Sequence, residues 1–216
     1  MERPPRSPPE AGIPSAAVAI ELAVLDAPVL TRGALPVFLL RLAAAGAFDP
    51  VWSDPIHGEW TRALHQKRPA IPMEHLRQRR LDLERAFPAA NVPPSREAQE
   101  EVLAHCTTAA ERRSAHVLAT ALSARAAVIV TDASFCLTAV MAKLWHDTAV
   151  LSPDAWCLEL LDRREKEVLA GVHAHRTSQG GRNGPASAGE WLTPLRNAPF
   201  DLPAFAARLA GRQDQS

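Results

Sequence analysis

Three acidic residues are the side chains in this sequence that could most readily do chemistry together. Asp26 ends the apolar run IELAVLD (20–26), Asp132 follows the run AAVIVT (126–131), and Glu59 lies in SDPIHGEWTRAL (53–64). Sites in open α/β sheets form where strands end. If the three carboxylates converge, they suit Mg²⁺ or Mn²⁺, which would activate a water and stabilise charge on a phosphate. Taken singly, an Asp after a strand is more often a turn former or helix cap.

Histidines and tryptophans offer weaker signals. His173 and His175 form an HxH pattern without a third ligand, and we expect both side chains to face solvent. His116 is predicted to be packed or capped rather than to act as a base. We expect four tryptophans to be packing residues, namely Trp52, Trp60, Trp145 and Trp156.

Arginines are the remaining chemical resource. The candidates for binding phosphate groups lie on two predicted helices and are Arg77, Arg79, Arg80, Arg112 and Arg113. Acidic residues such as Asp82, Glu84 and Glu111 are interleaved with them, so a solvated helix face is the other interpretation. The 24 Lys and Arg balance the 24 Asp and Glu, which excludes a basic field over the whole surface. Any contact with nucleic acid must therefore be local.

The elements that would position these residues alternate along the chain. Short apolar strands are predicted at 20–26, 126–131 and 148–151. Helices are predicted at 33–46, 53–65, 73–87, 96–105 and 111–124, and again after Ser152 and Pro153. Strands separated by helices predict an α/β fold, a three-layer α/β/α sandwich with a parallel central sheet.

Three regions are predicted along the chain. Residues 1–18 read as a disordered proline-rich tail, 19–162 as the α/β domain, and 163–216 as a loop with a C-terminal helical extension. Within the last region, 177–189 reads as a flexible loop, and short helices are expected around 189–196 and 201–210.

The composition also indicates a compartment. The three cysteines lack CxxC spacing, which argues against a disulfide scaffold or a structural zinc site and favours a reducing cytosol. The first residues carry charge and proline where a secretory signal needs an apolar core. No apolar stretch reaches the roughly 18 residues that span a bilayer. We therefore expect a cytoplasmic protein without membrane contact.

Five strings stand in an order that resembles the PIN-domain family, in particular its branch of VapC-type toxin ribonucleases. They are VLDAPVL (24–30), LLRLAAAGAFDPVWSDPIHGEWTRAL (39–64), ERAFPAA (84–90), HVLATALSARAAVIVT (116–131) and VLSPDAWCLELLD (150–162). The string GEWLTPLRNAPFDLPAFAARLAG (189–211) also resembles that branch's C-terminal extension. The resemblance implies a cluster of usually four acids that binds Mg²⁺ or Mn²⁺ and hydrolyses RNA phosphodiesters. It also implies a partner antitoxin and, commonly, a homodimer.

Only part of the family's acidic cluster is present. The resemblance assigns its first two acids to Asp26 and Glu59. Ser114 stands where the third acid is usual, and Ala133 stands at a position that usually carries Asn or Asp. Asp132 is one residue out of register. Pro28 replaces a usual Asn, which removes a side-chain amide and a backbone donor.

Three interpretations follow from this pattern. The first is a metal-dependent ribonuclease toxin, in which Asp26, Glu59 and Asp132 hold the metal and Ser114 orients a water. The second is a degenerate PIN domain, catalytically weak or inactive, that binds RNA or a protein partner. The third is an α/β domain with no role in nucleic-acid chemistry.

Overall fold

Four short parallel strands form the sheet in the computed structural model, which describes residues 20–144, 147–179, 188–198 and 200–213. The strands are β1 (Leu22–Leu25), β2 (Asp49–Val51), β3 (Val128–Val130) and β4 (Ala149–Leu151), in the order β2-β1-β3-β4. In the central pair, Val24 aligns with Ile129 and Leu25 with Val130. Central strands that are apolar throughout are typical of a parallel sheet covered on both faces. The predicted α/β class with a parallel sheet is confirmed.

Eleven helices are present in the described chain. They are α1 (Ala27–Leu30), α2 (Leu35–Ala44), α3 (Asp54–Lys67), α4 (Met73–Ala86), α5 (Arg96–His105), α6 (Ala109–Ala124), α7 (Ser134–Leu144), α8 (Pro153–Arg163), α9 (Glu165–Gln179), α10 (Ala188–Arg196) and α11 (Pro203–Gln213). One set packs α2 on α9, α9 on α8 and α8 on α11. Another packs α3 on α4 and α6, and α6 on α5 and α7. Two helix sets and one sheet are consistent with three α/β/α layers. None of these helices is both long and apolar enough to cross a membrane.

Most predicted elements are confirmed, and one strand was missed. The helix at 96–105 has the predicted bounds, and the three predicted strands correspond to β1, β3 and β4. β2 was not predicted because it has three residues and one of them is Pro50, which cannot donate to a ladder. It lies at the edge of the sheet, where a proline is tolerated.

Tryptophans fill the core as predicted. Trp52, Trp60 and Trp156 are each at most 1% exposed. Trp145 lies outside the described residues. A second feature of the core is the crossing of α2 and α9, where Gly171 brings the two backbones close together.

The C-terminal region departs from expectation in two places. The predicted loop at 177–189 is narrower, because 177–179 belong to α9 and 188–189 to α10, while 180–187 lie outside the described residues. The prediction that His175 faces solvent is wrong. Its ring is buried and packs edge-on against Phe38 at 5.2 Å and Phe200 at 5.7 Å between ring centroids. His173 is exposed as predicted. The tail at 1–18 lies outside the described residues.

Candidate functional site

Asp26 is fixed at the carboxyl end of β1 by bonds to two elements. Its Oδ1 accepts a hydrogen bond from the backbone N–H of Ala27 at 2.7 Å and so caps α1. Its Oδ2 accepts from the hydroxyl of Thr131, just past β3, at 2.6 Å. Pro28 occupies the first turn of α1, where a missing N–H costs nothing. The carboxylate is only 5% exposed.

Burial and neighbouring groups together set the pKa of Asp26. Burial raises this pKa above its ordinary value, and the negative charge of Glu59 raises it further. The hydrogen bonds from Thr131 and Ala27 and the charge of His116 act in the opposite direction. Glu59 and His116 are thus the charged residues that act on the Asp26 carboxyl.

Glu59 faces His116 across the gap between α3 and α6. Its Oε2 lies 3.0 Å from Nε2 of His116, while Nδ1 of the same ring lies 3.0 Å from the carbonyl oxygen of Arg113. Both ring nitrogens thus lie close to oxygen atoms of other residues. The hydrogen bond from His116 is the main reason that the pKa of Glu59 lies below its ordinary value, and the positive charge of Arg62 adds to it.

His116 is the residue of this site whose role the sequence did not reveal. It is packed, as predicted, but it is packed against a candidate site residue. The contact joins helices that are distant in the chain, so no spacing rule could find it. The available signal was that one of the resembling strings begins at His116.

Asp132 has a partner other than the two acids. The carboxylate of Asp132 forms an ion pair with Arg32, whose guanidinium also donates to the carbonyl oxygen of Phe200 at 2.7 Å. Ser114 is partly exposed on α6, two residues before His116. The expected convergence of three carboxylates is therefore reduced to the pair Asp26 and Glu59.

The arrangement does not fit Mg²⁺ or Mn²⁺ well. Both oxygens of Asp26 accept hydrogen bonds from the protein, Glu59 is engaged by His116, and Asp132 is engaged by Arg32. Over the described residues, no group of three or more His, Cys, Asp or Glu side chains is placed to hold a metal ion. A hard cation at this site would have to share carboxylate oxygens with these protein partners and, in the part of the chain that the structure describes, would lack a third carboxylate beside them.

The candidate RNA-binding arginines divide into two kinds. On α4, Arg80 pairs with Asp54 at 2.6 Å and Glu84 at 2.7 Å, and Arg77 pairs with Glu74 at 3.3 Å. Arg79 lies over the ring of Trp60, 5.6 Å from its centroid, in a cation–π contact. Acidic residues of α3 and α4 thus already form ion pairs with Arg77 and Arg80.

Arg112 and Arg113 on α6 differ from the α4 arginines. Both are exposed, and in the described part of the chain neither forms an ion pair. They lie in the first turns of α6, directly before His116. These two residues are the more available of the predicted phosphate contacts.

The buried, ionised carboxylate of Asp26 should lower the free energy of unfolding at neutral pH, as buried charges in functional sites often do. Because burial raises its pKa in the folded chain, its ionised form is penalised above the ordinary pKa of 3.8. We expect Asp26→Asn to raise the midpoint of urea unfolding at pH 7. The gain should shrink as the pH falls toward 3.8, where Asp26 becomes protonated. A variant that is less stable than the parent at pH 7 would contradict this assignment.

Comparison of the chain with protein-family models, curated proteins and solved structures finds no match. The function proposed below therefore rests on the fold and on the geometry of the site.

Proposed function

We propose that the chain is a degenerate PIN-like domain that binds RNA at the carboxyl edge of its sheet without metal-dependent hydrolysis. The observation that carries this proposal is that each of the three candidate acids is already engaged by the protein. Thr131 and Ala27 bind Asp26, His116 binds Glu59, and Arg32 binds Asp132. The parallel sheet and the order of the resembling strings support the PIN-like assignment.

The RNA-binding part of the proposal rests on α6. Arg112 and Arg113 are exposed on the helix that carries His116, the residue in contact with Glu59. Phosphate oxygens are good acceptors for guanidinium groups. Since the net charge of the chain is zero, binding must come from this local group rather than from a general positive field.

Binding of a short single-stranded RNA, measured by fluorescence anisotropy, tests this part. We expect Arg112→Gln/Arg113→Gln to weaken binding about tenfold and to reduce the salt slope by about 1.4, as for two lost contacts with a single strand. The matched control is Arg77→Gln/Arg85→Gln, which removes the same charge from arginines paired on α4. Equal losses in both double variants would mean a non-specific charge effect and would overturn the proposal.

A second candidate is a Mg²⁺- or Mn²⁺-dependent ribonuclease that acts as the toxin of a toxin–antitoxin pair. The observation that favours it is the electrostatic coupling of Asp26 and Glu59 where β1 ends. Incubation of the purified chain with RNA and Mn²⁺ separates the two candidates. We expect no cleavage above that of Asp26→Asn. Mn²⁺-dependent cleavage that disappears in Asp26→Asn would favour the ribonuclease, and a search for an antitoxin partner would follow.

A further inference from the structure

Arg32 links the end of the sheet to the C-terminal extension. It follows α1 and forms an ion pair with Asp132, one residue past the Thr131 that binds Asp26. Its other guanidinium nitrogen donates to the carbonyl oxygen of Phe200 at 2.7 Å and lies 3.6 Å from the carboxylate of Asp201. The side chain is 22% exposed. The partners of this guanidinium thus include two carboxylates and the backbone carbonyls of Phe200 and Asp201.

A small cavity opens beside this group. It has a volume of about 230 Å³ and is lined by Arg32, Asp132, Ser152, Asp154 and Asp201, together with two prolines. Two carboxylates pair with the guanidinium and a third, that of Asp154, lines the same cavity, so a phosphate is repelled while the extension is in place. Carboxylate and phosphate oxygens both match the planar donor fork of arginine. Asp132 and Asp201 therefore occupy donors that a phosphate could use.

The segment that supplies Asp201 is docked by packing and by a helix cap. The ring of Phe200 packs edge-on against Phe38, 5.9 Å between centroids, and also against His175. The carboxylate of Asp154 accepts hydrogen bonds from Ala204 N–H at 3.1 Å and Phe205 N–H at 2.9 Å, at the start of α11.

The backbone at Asp201 opposes this docking. Asp201 has a φ of +54°, in the left-handed region that a residue other than glycine adopts at a cost. The turn is therefore held in place by its neighbours and does not prefer this conformation by itself.

We propose that Arg32 is a phosphate-binding residue that the C-terminal extension keeps masked. Asp132 and Asp201 act as internal substitutes for phosphate. Undocking of the 200–201 turn exposes the guanidinium at the end of the sheet, next to Asp132. The inference deepens the proposed RNA-binding function and rests on it, because it adds a regulated contact at the same edge of the sheet.

A double-mutant cycle on RNA affinity tests the masking. In the parent, Arg32→Gln should change the affinity for single-stranded RNA less than twofold, because Arg32 is occupied. In the background Asp132→Asn/Phe200→Ala, which removes one carboxylate and the ring contacts that dock the turn carrying Asp201, RNA should bind about tenfold tighter, and Arg32→Gln should remove most of that gain. The charge removed from Arg32 is the same in both backgrounds, so general electrostatics cancel. Equal effects of Arg32→Gln in both backgrounds would overturn the proposal.

A second variant keeps every charge and addresses the docking itself. Phe200→Ala removes the ring contacts with Phe38 and His175, and hydrogen exchange of residues 200–213 should increase together with RNA affinity. More rapid exchange without tighter binding would also overturn the masking.

RNA binding as such is tested separately from the masking of Arg32. The RNA affinities of the parent and of Arg112→Gln/Arg113→Gln test the contact through α6, whereas the double-mutant cycle tests Arg32. Inorganic pyrophosphate serves as a second probe of the unmasked Arg32 if the parent does not bind RNA. Pyrophosphate that binds the unmasked background no better than the parent would then overturn the masking.

Discussion

Replacement of Gly171 by alanine is expected to destabilise the protein by about 3 kcal/mol, at the upper end of the cost of overpacking a core. A Cβ atom at this position would lie 2.8 Å from Cα of Leu42 and 2.9 Å from the carbonyl oxygen of Arg41. Both atoms belong to the backbone of α2, so no side-chain rotation can relieve the overlap. The helices would have to separate and give up contacts between buried side chains.

Urea unfolding followed by circular dichroism measures this effect, and Gly58→Ala is the matched control. Gly58 lies inside α3 with nothing within 4 Å of the position that its Cβ would take. Alanine there should stabilise the protein by up to about 1 kcal/mol through helix propensity. If the two substitutions shift the midpoint in the same direction, the close crossing of α2 and α9 is not what Gly171 provides.

The same crossing determines where the C-terminal extension can dock. One turn along α9 from Gly171, the buried ring of His175 packs against both Phe38 of α2 and Phe200 of the extension. Separation of α2 and α9 would move His175 away from Phe38. Gly171→Ala should therefore also loosen the 200–201 turn that holds Arg32.

The sequence was most informative where local rules decide the structure. The apolar runs that became β1 and β3 are long enough to stand out, and the acid that ends the first run identified Asp26 correctly as a residue at the edge of the sheet. β2 could not be found in this way, because three residues that include a proline carry no periodic pattern. Its place is set by hydrogen bonding of Asp49 N–H to Glu21 and by pairing with β1.

The parts of the site that escaped prediction depend on contacts between distant segments. Arg32 and Asp132 are 100 residues apart, and Arg32 and Phe200 are 168 apart. Asp132 therefore looked free to join Asp26 and Glu59, although tertiary structure gives it another partner. His175 appeared exposed because its neighbours in the chain are polar, whereas its ring is covered by aromatic residues of α2 and the extension.

His57 should make the protein markedly less stable as the pH falls from 6.5 to 4. The ring is fully buried, and its Nδ1 accepts a hydrogen bond from the indole N–H of Trp60 at 2.8 Å, which requires the neutral form. Burial and, to a smaller extent, the positive charge of Arg80 lower the pKa of His57 from 6.5 to about 4, against the opposing charges of Glu84 and Asp54.

The direction of the effect follows from proton uptake. Between pH 6.5 and pH 4 the unfolded chain binds a proton at His57 that the folded chain does not, so the free energy of unfolding falls as the pH falls. The stability is complete above pH 6.5, and the loss at pH 4 amounts to about 3 kcal/mol for a shift of this size.

Urea midpoints measured from pH 7 to pH 4 for the parent and for His57→Gln test this expectation. Glutamine does not titrate, and its side-chain oxygen can accept the hydrogen bond from Trp60, so the variant should lose less stability over this range by about 3 kcal/mol. Burial also lowers the pKa of His175, which contributes a loss in the same direction to both proteins and cancels in the difference. Parallel curves for parent and variant would mean that His57 takes up its proton within the folded core, and the Trp60 hydrogen bond would then not hold it neutral.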